Sequence, residues 1–234
     1  MTRRQLPGDP PVALTLRRSA RARRISLRVS QLDGRVTLTL PRGVPEAEAL
    51  RFAEEKAGWI RGHLARRGAD IAVTIGAAIP VEGVARPILA GPGRHARIDR
   101  AGRILAPEAA CGRAVQALLK TLARDRLAAA CDGYAAALGR PYARITLRDT
   151  RSRWGSCSAQ GGLMFSWRLI MAPPEVLAYV AAHEVAHLAQ MNHSPAFWAE
   201  VARLYGPYEA PRAWLRGPGN ALHRYRFDSP APPR

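Results

Sequence analysis

His183-Glu184-Val185-Ala186-His187, followed six residues later by His193, is the stretch whose reading decides the fold. An α-helix turns about 100° per residue, so His183 and His187 project from one face, about 40° apart and one turn along the axis. Imidazoles so spaced can hold one tetrahedral metal ion. Glu184 lies on the adjacent edge of that face, where it can reach a water activated by the metal without becoming a ligand. In a continuing helix His193 would lie about 80° round from His183 and about 15 Å further along the axis. It can be the third ligand only if the chain turns back. Asn192 tolerates the left-handed conformation that ends helices, and Ser194-Pro195 reads as the N-cap and first residue of a new helix. Glu200 and Glu209 are acidic alternatives for the third position. Imidazole suits zinc and the turn signals point to His193, so His193 is preferred.

A packed helix with hydrogen-bonded histidines is the plainer reading of the same residues. The surrounding pattern weighs against it. From Val176 to Met191 the segment is apolar nearly all round, as buried helices are. Burying two imidazoles and a carboxylate costs several kcal/mol unless something pairs with them. One metal ion does this for the set, whereas hydrogen bonds need a separate partner for each group.

The composition is that of a globular chain: 234 residues, 47% apolar and 23% charged. Residues 1–11 are charged and proline-containing with no apolar core, so no signal peptide is expected. The longest apolar run is interrupted by His and Glu, so no membrane span is expected. Cys111, Cys131 and Cys157 form no disulfide framework, which fits a reducing cytoplasm. The formal net charge is +18 and almost wholly arginine, with Lys56 and Lys120 the only lysines. Its densest cluster is Arg17, Arg18, Arg21, Arg23, Arg24 and Arg28. Such a cluster can meet phosphate backbones or acidic substrates, or it can be solvated surface in an arginine-biased composition. No aromatic residues interleave with it, so a base-stacking surface is not indicated.

In chain order, alternation predicts strands over 12–16, 24–29 and 36–40, with Gln31-Leu-Asp-Gly34 as a hairpin turn. One helix is expected from Pro45 to about Arg66. Residues 68–106 are turn-rich with short strand candidates near 71–73, 80–84, 86–89 and 96–98. A long helix over Cys111–Leu138 stops at Gly139-Arg-Pro141. Strands are expected over 143–148 and 163–167, separated by the turn-prone stretch Arg151–Ser158. Pro173-Pro174 opens the histidine helix, and another helix runs over 195–205. Beyond Gly206-Pro207 the chain reads as irregular. The expected organisation is an N-terminal β-rich segment with one helix (1–106), a catalytic domain (107–228) and a disordered tail (229–234).

Several ordered stretches then resemble one family. Arg153-Trp-Gly-Ser-Cys157, Phe165-Ser-Trp-Arg-Leu-Ile170, Ala172-Pro173, Tyr179-Val180-x-x-His-Glu-x-x-His187 and Asn192-His-Ser194 with Phe197-Trp198 are similar to the YgjP-like family of predicted zinc metallopeptidases. The N-terminal strands and Trp59-Ile60 extend the likeness over most of the chain. The resemblance implies an α+β fold with a zincin-like metallopeptidase domain, more distantly related to SprT-like and WLM proteases, which act on DNA-bound proteins. It maps the ligands of a Zn²⁺ ion onto His183, His187 and His193 and the general base onto Glu184. Gln190 stands where the metzincin pattern has glycine, which argues against that clan. The expected partner is a peptide or protein substrate, with nucleic acid as a further candidate through the basic surface and no membrane. Two other readings stand beside the peptidase: a DNA-associated protease or other nucleic-acid-linked hydrolase, and a basic nucleic-acid-binding module with a structural zinc.

The remaining candidates read as support. Cys157 is expected to be a small turn or buried residue rather than a ligand or nucleophile. Trp154, Trp167, Phe197 and Trp198 are expected to form core around the site, and strand 163–167 could offer its edge to an extended peptide. His63, His95 and His223 sit in no metal spacing. An oxyanion stabiliser is needed, for which Tyr205, Tyr208, His223 and a nearby arginine are the candidates.

Overall fold

Alternating apolar and polar residues build the first sheet. In the computed structural model, which describes residues 2–30 and 34–228, strands β1 (Thr2–Leu6), β2 (Val12–Arg18), β3 (Ser26–Val29) and β4 (Val36–Leu40) lie in the order β1-β2-β4-β3. β2 and β4 run parallel; the outer pairs are antiparallel. Leu14, Leu16, Val36, Leu38 and Leu40 point inward at period two and are buried. β1 is absent from the sequence expectation because Leu6 is its one buried residue, too few to show a period. The first three residues of the expected 31–34 turn lie outside the described residues. The helical stretch is two helices, α1 (Glu46–Glu55) and α2 (Ala57–Arg67), separated at Lys56, where no helix-breaking residue stands. Ala49, Ala53 and Ile60 carry them into the same apolar cluster as the sheet.

Two compact units meet in sequence at residue 69, Met1–Ala69 and Asp70–Arg234. The second begins with short strands: β5 (Ile71–Ala72), β6 (Ala78–Val81), β7 (Val84–Ala90), β8 (Arg97–Ile98) and β9 (Ile104–Ala106). The last four form a sheet in the order β6-β7-β9-β8. The sequence grouped this stretch with the N-terminal segment. Its buried residues Ile79, Val81, Ile88 and Ile104 instead join the core of the second unit, because strands this short need a neighbouring apolar surface.

The long helix α3 (Cys111–Leu138) runs over the expected residues. Val115, Leu119, Ala123, Leu127, Cys131 and Ala135 form its buried stripe. Gly139, at φ 72°, lets the chain close the helix with Gly139 N–H on Ala136 O and Arg140 N–H on Ala135 O, both at 3.1 Å. Strands β10 (Arg144–Arg148), β11 (Gly155–Cys157) and β12 (Gly162–Ser166) follow, in the order β10-β12-β11. This corrects the expected peptide edge: β12 is paired on both sides, and β11, read as a turn, is an edge strand. Helices α4 (Pro174–Ala186), α5 (Pro195–Tyr205) and α6 (Glu209–Arg216) complete the unit, with β13 (Tyr225–Arg226) pairing in parallel with β5. The irregular stretch expected past Gly206 thus contains α6. Eight residues are too few for a helix to stand alone, so its existence depends on packing. The expected tail at 229–234 lies outside the described residues.

One charged side chain holds the C-terminal stretch in place. Arg168 is buried and donates from Nε and Nη2 to Asp149 Oδ1 and Oδ2, at 2.7 and 3.1 Å. Its Nη1 donates to Leu222 O at 2.8 Å and Tyr225 O at 3.2 Å, and its guanidinium lies over the rings of Trp167 and Phe227. A neutral side chain there leaves the buried Leu222 carbonyl, the part-buried Tyr225 carbonyl and the Asp149 carboxylate without their donor. Arg168→Met is therefore expected to lower unfolding stability by about 2–4 kcal/mol in a urea titration. An unchanged midpoint would show that this network adds nothing.

Candidate metal centre

α4 is enclosed by apolar contacts on nearly all sides, with Val176, Leu177, Val180, Ala181, Ala182, Val185 and Ala186 buried. It carries His183, Glu184 and, at its C-cap, His187. The exit is a tightening turn: Leu188 N–H bonds Val185 O at 2.9 Å and Ala189 N–H bonds Ala186 O at 3.0 Å. The expected left-handed Asn192 is not found, since Glu82 is the one non-glycine residue at positive φ among the described residues. Asn192 acts through its side chain, whose Oδ1 accepts the Ser194 N–H at 3.2 Å. Ser194 then caps α5 as expected, its Oγ accepting from Phe197 N–H at 3.4 Å, with Pro195 in the first turn. The chain thereby doubles back and returns His193 to the other two histidines.

One ring nitrogen from each of His183, His187 and His193 lies within 4.8 Å of the others. Nε2 of His183 and Nε2 of His193 are 3.1 Å apart. Nδ1 of His187 sits 2.9 Å from Gln190 O. A carbonyl can only accept, so Nδ1 carries the hydrogen and the Nε2 lone pair is left free. Phe197, fully buried, touches all three imidazoles with ring centroids 4.4–4.9 Å away. Trp198 stacks on His193 at 5.6 Å and on Tyr208 at 5.1 Å. Burial, with the neighbouring imidazoles and Arg212 adding to it, pulls the His183 pKa down to about 3, and burial lowers that of His187. Both rings are therefore neutral near pH 7, the form that binds a metal. No other group of three potential ligand residues occurs among the described residues. Glu200 is paired with Arg203, and neither it nor Glu209 joins the histidines.

Glu184 is buried beside them, and burial lifts its pKa to about 8 against the opposing charge of Arg153. β11 fixes its position by close approach. A methyl group built on Gly155 would fall 2.5 Å from Glu184 Oε1 and 2.6 Å from its Cγ, closer than packed atoms come. Glu184, His183, Gly155, Arg153, Tyr179 and Arg212 share a cleft of about 320 Å³. The arrangement offers three converging imidazole nitrogens with a carboxylate at their side, opening into a concave surface.

The other sequence candidates separate. Cys157 is half-buried, donates to Ser158 O at 3.4 Å, and is kept a thiol by burial and the Glu184 charge. Trp154 walls the cleft, whereas Trp167 lies away from it under Phe227. Tyr205 commits its hydroxyl to Glu175 O at 2.9 Å. His223 is buried against Trp154, its pKa pulled to about 4 by burial. Of the four oxyanion candidates, only arginine lines the cleft. Gly155, Arg212, Leu215 and Arg216 were not anticipated as cleft residues. The Arg153–Cys157 stretch was a signal for the first, but α6 itself was invisible.

The model of the YgjP-like metallopeptidase domain matches residues 23–217. No curated protein matches the chain. Among solved structures, the crystal structure of the metallopeptidase zymogen of Pyrococcus abyssi abylysin aligns at 20% identity and TM-score 0.35, over 39% of this chain and 95% of that one. A likeness so slight carries no argument. The family match spans most of the sequence and both sides of the histidine cluster, and on it the chain belongs to the YgjP-like metallopeptidase family.

Proposed function

We propose that the protein is a zinc-dependent peptidase in which His183, His187 and His193 hold Zn²⁺ and Glu184 is the general base. One observation carries this reading: three imidazole nitrogens, one from the exposed His193, lie within 4.8 Å of one another next to the buried carboxylate of Glu184. The residues fit the ion. Two nitrogen ligands of a tetrahedral zinc lie about 3.4 Å apart, close to the 3.1 Å between the ε-nitrogens of His183 and His193. Two neutral ring nitrogens facing each other share at most one proton between them, and a cation satisfies both lone pairs.

Bound there, Zn²⁺ supplies Lewis acidity, polarising a carbonyl and acidifying water. Glu184 takes the proton of the water that adds to the carbonyl carbon and passes it to the amine nitrogen as the C–N bond breaks. Arg153, in the same cleft, can face the charge that grows on the carbonyl oxygen. Gly155 leaves room for the carboxylate, and the free side of β11 can receive an extended peptide.

The nucleic-acid readings gain less support. The arginine cluster at 17–28 belongs to the first unit, while the histidines belong to the second. Arg18 is already spent on Arg42 O and Val44 O, each at 2.9 Å. A structural zinc is normally closed by four protein ligands, and this group has three. The cysteines are free thiols, which suits the reducing cytoplasm expected for the protein. No helix among the described residues is long and apolar enough to cross a membrane.

Metal analysis of purified protein is expected to find about one Zn²⁺ per chain, with affinity at least about tenfold weaker in His193→Ala and little changed in Glu209→Ala. The reverse ranking would replace the third imidazole by an acid. Glu184→Gln is expected to keep its zinc and fold while hydrolysis of an unfolded protein falls by about a hundredfold or more. Full activity in that variant would end the general-base assignment. Gly155→Ala should also retain zinc, yet push the Glu184 carboxylate aside and slow hydrolysis by about tenfold to a hundredfold. Wild-type rates there would mean that the carboxylate position is not critical.

A further inference from the structure

We propose that α6 is a carboxylate-binding wall, so that this peptidase selects acidic peptides. The inference rests on the peptidase reading above and adds the substrate class. Arg212, Leu215 and Arg216 stand at i, i+3 and i+4 on α6 and all line the cleft that holds Glu184 and His183. Arg153 brings a third guanidinium to the same concavity. Glu184 is the one acid lining it, and it is buried.

Elsewhere in the second unit Arg168 pairs with Asp149, Arg126 with Glu82 and Arg103 with Asp99, while Arg86 and Arg140 donate to the backbone carbonyls of Gly102 and Leu188. None of the three cleft arginines forms an ion pair among the described residues. Even Glu209, three residues before Arg212 on the same helix, does not pair with it. Arg212 and Arg216, four residues apart, repel each other without an anion between them. Arg212 is nonetheless held in place, its guanidinium 4.3 Å over the ring of Trp198, which stacks in turn on His193. A planar fork pinned by an aromatic ring is preorganised for a carboxylate. Leu215 lies between the two arginines in sequence and, with Tyr179, gives an apolar surface for the stem of a side chain.

The carboxylate can belong to an Asp or Glu side chain or to the peptide's C-terminus, and the two sources are distinguishable. A labelled peptide series on one neutral sequence would carry an internal Glu, a free C-terminal carboxylate, a Lys, or an amidated neutral end. Binding is read by anisotropy on zinc-loaded Glu184→Gln protein, and kcat/KM on the unmutated protein. The expected result is at least about tenfold tighter binding and faster cleavage for one or both carboxylate peptides, weakening with salt. The Arg212→Gln/Arg216→Gln double variant should erase that preference, read as the ratio of kcat/KM for the carboxylate peptide to that for the amidated neutral peptide falling to about one. Arg216→Glu alters one exposed residue and so tests the site without risk to the core; it should shift preference toward the Lys peptide.

Equal handling of neutral, acidic and Lys peptides would overturn the proposal while leaving the peptidase standing. Arginine-dependent binding of acidic peptides with no cleavage of any peptide would uphold the carboxylate site and remove the peptidase reading. Duplex DNA that binds through Arg212 and Arg216, with acidic peptides failing to bind, would also overturn it.

Discussion

A helix sealed on nearly every side cannot carry ionisable groups without partners, and α4 carries three. The surroundings are arranged around that constraint. The chain tightens at Val185–Ala189, reverses through the Asn192 side chain and is recapped by Ser194, so that His193 comes back to His183 and His187. Phe197 fills the space among the three rings, which fixes their separation while leaving their free nitrogens to face one another. His187 is oriented by Gln190 O, a bond to a backbone atom that substitution elsewhere cannot easily disturb.

The carboxylate is placed by a different kind of contact. Glu184 neighbours His183 in sequence but points toward β11, where the missing side chain of Gly155 makes its room. The strand itself is short and lies at a sheet edge, so its position derives from β12 and from α4 rather than from its own propensity. The buried guanidinium of Arg168, paired with the half-exposed Asp149, ties the end of β10 to the segment that follows α6. Packing of α6 then brings two arginines over the cleft. Its amphipathic face has work to do only once that packing is in place.

Charge is the feature on which composition and structure differ most. A net +18 suggests a diffuse attraction for polyanions, and its densest cluster lies in residues 17–28. The arginines that reach the histidine site are others, drawn from a turn before β11 and from α6. Overall charge therefore speaks to solubility and encounter, while the few guanidinium groups in a concave site bear on selectivity.

What the sequence determined by itself is local. The helical spacing of His183, Glu184 and His187, the Ser194-Pro195 cap and the full extent of α3 were legible because each depends on residues within a turn or two of one another. The α+β class and the alternating strands β2 to β4 were legible for the same reason. Tertiary structure alone decided that β11 is a strand at an edge, that β12 has none, that 71–106 joins the second unit, and that α6 exists. Those depend on partners far away in the chain: a three-residue strand or an eight-residue helix has too few hydrogen bonds to form alone and takes shape only against surface already folded. The room at Gly155 and the convergence of Arg153, Arg212 and Arg216 are of this kind, since no spacing in the sequence records a contact made across the cleft.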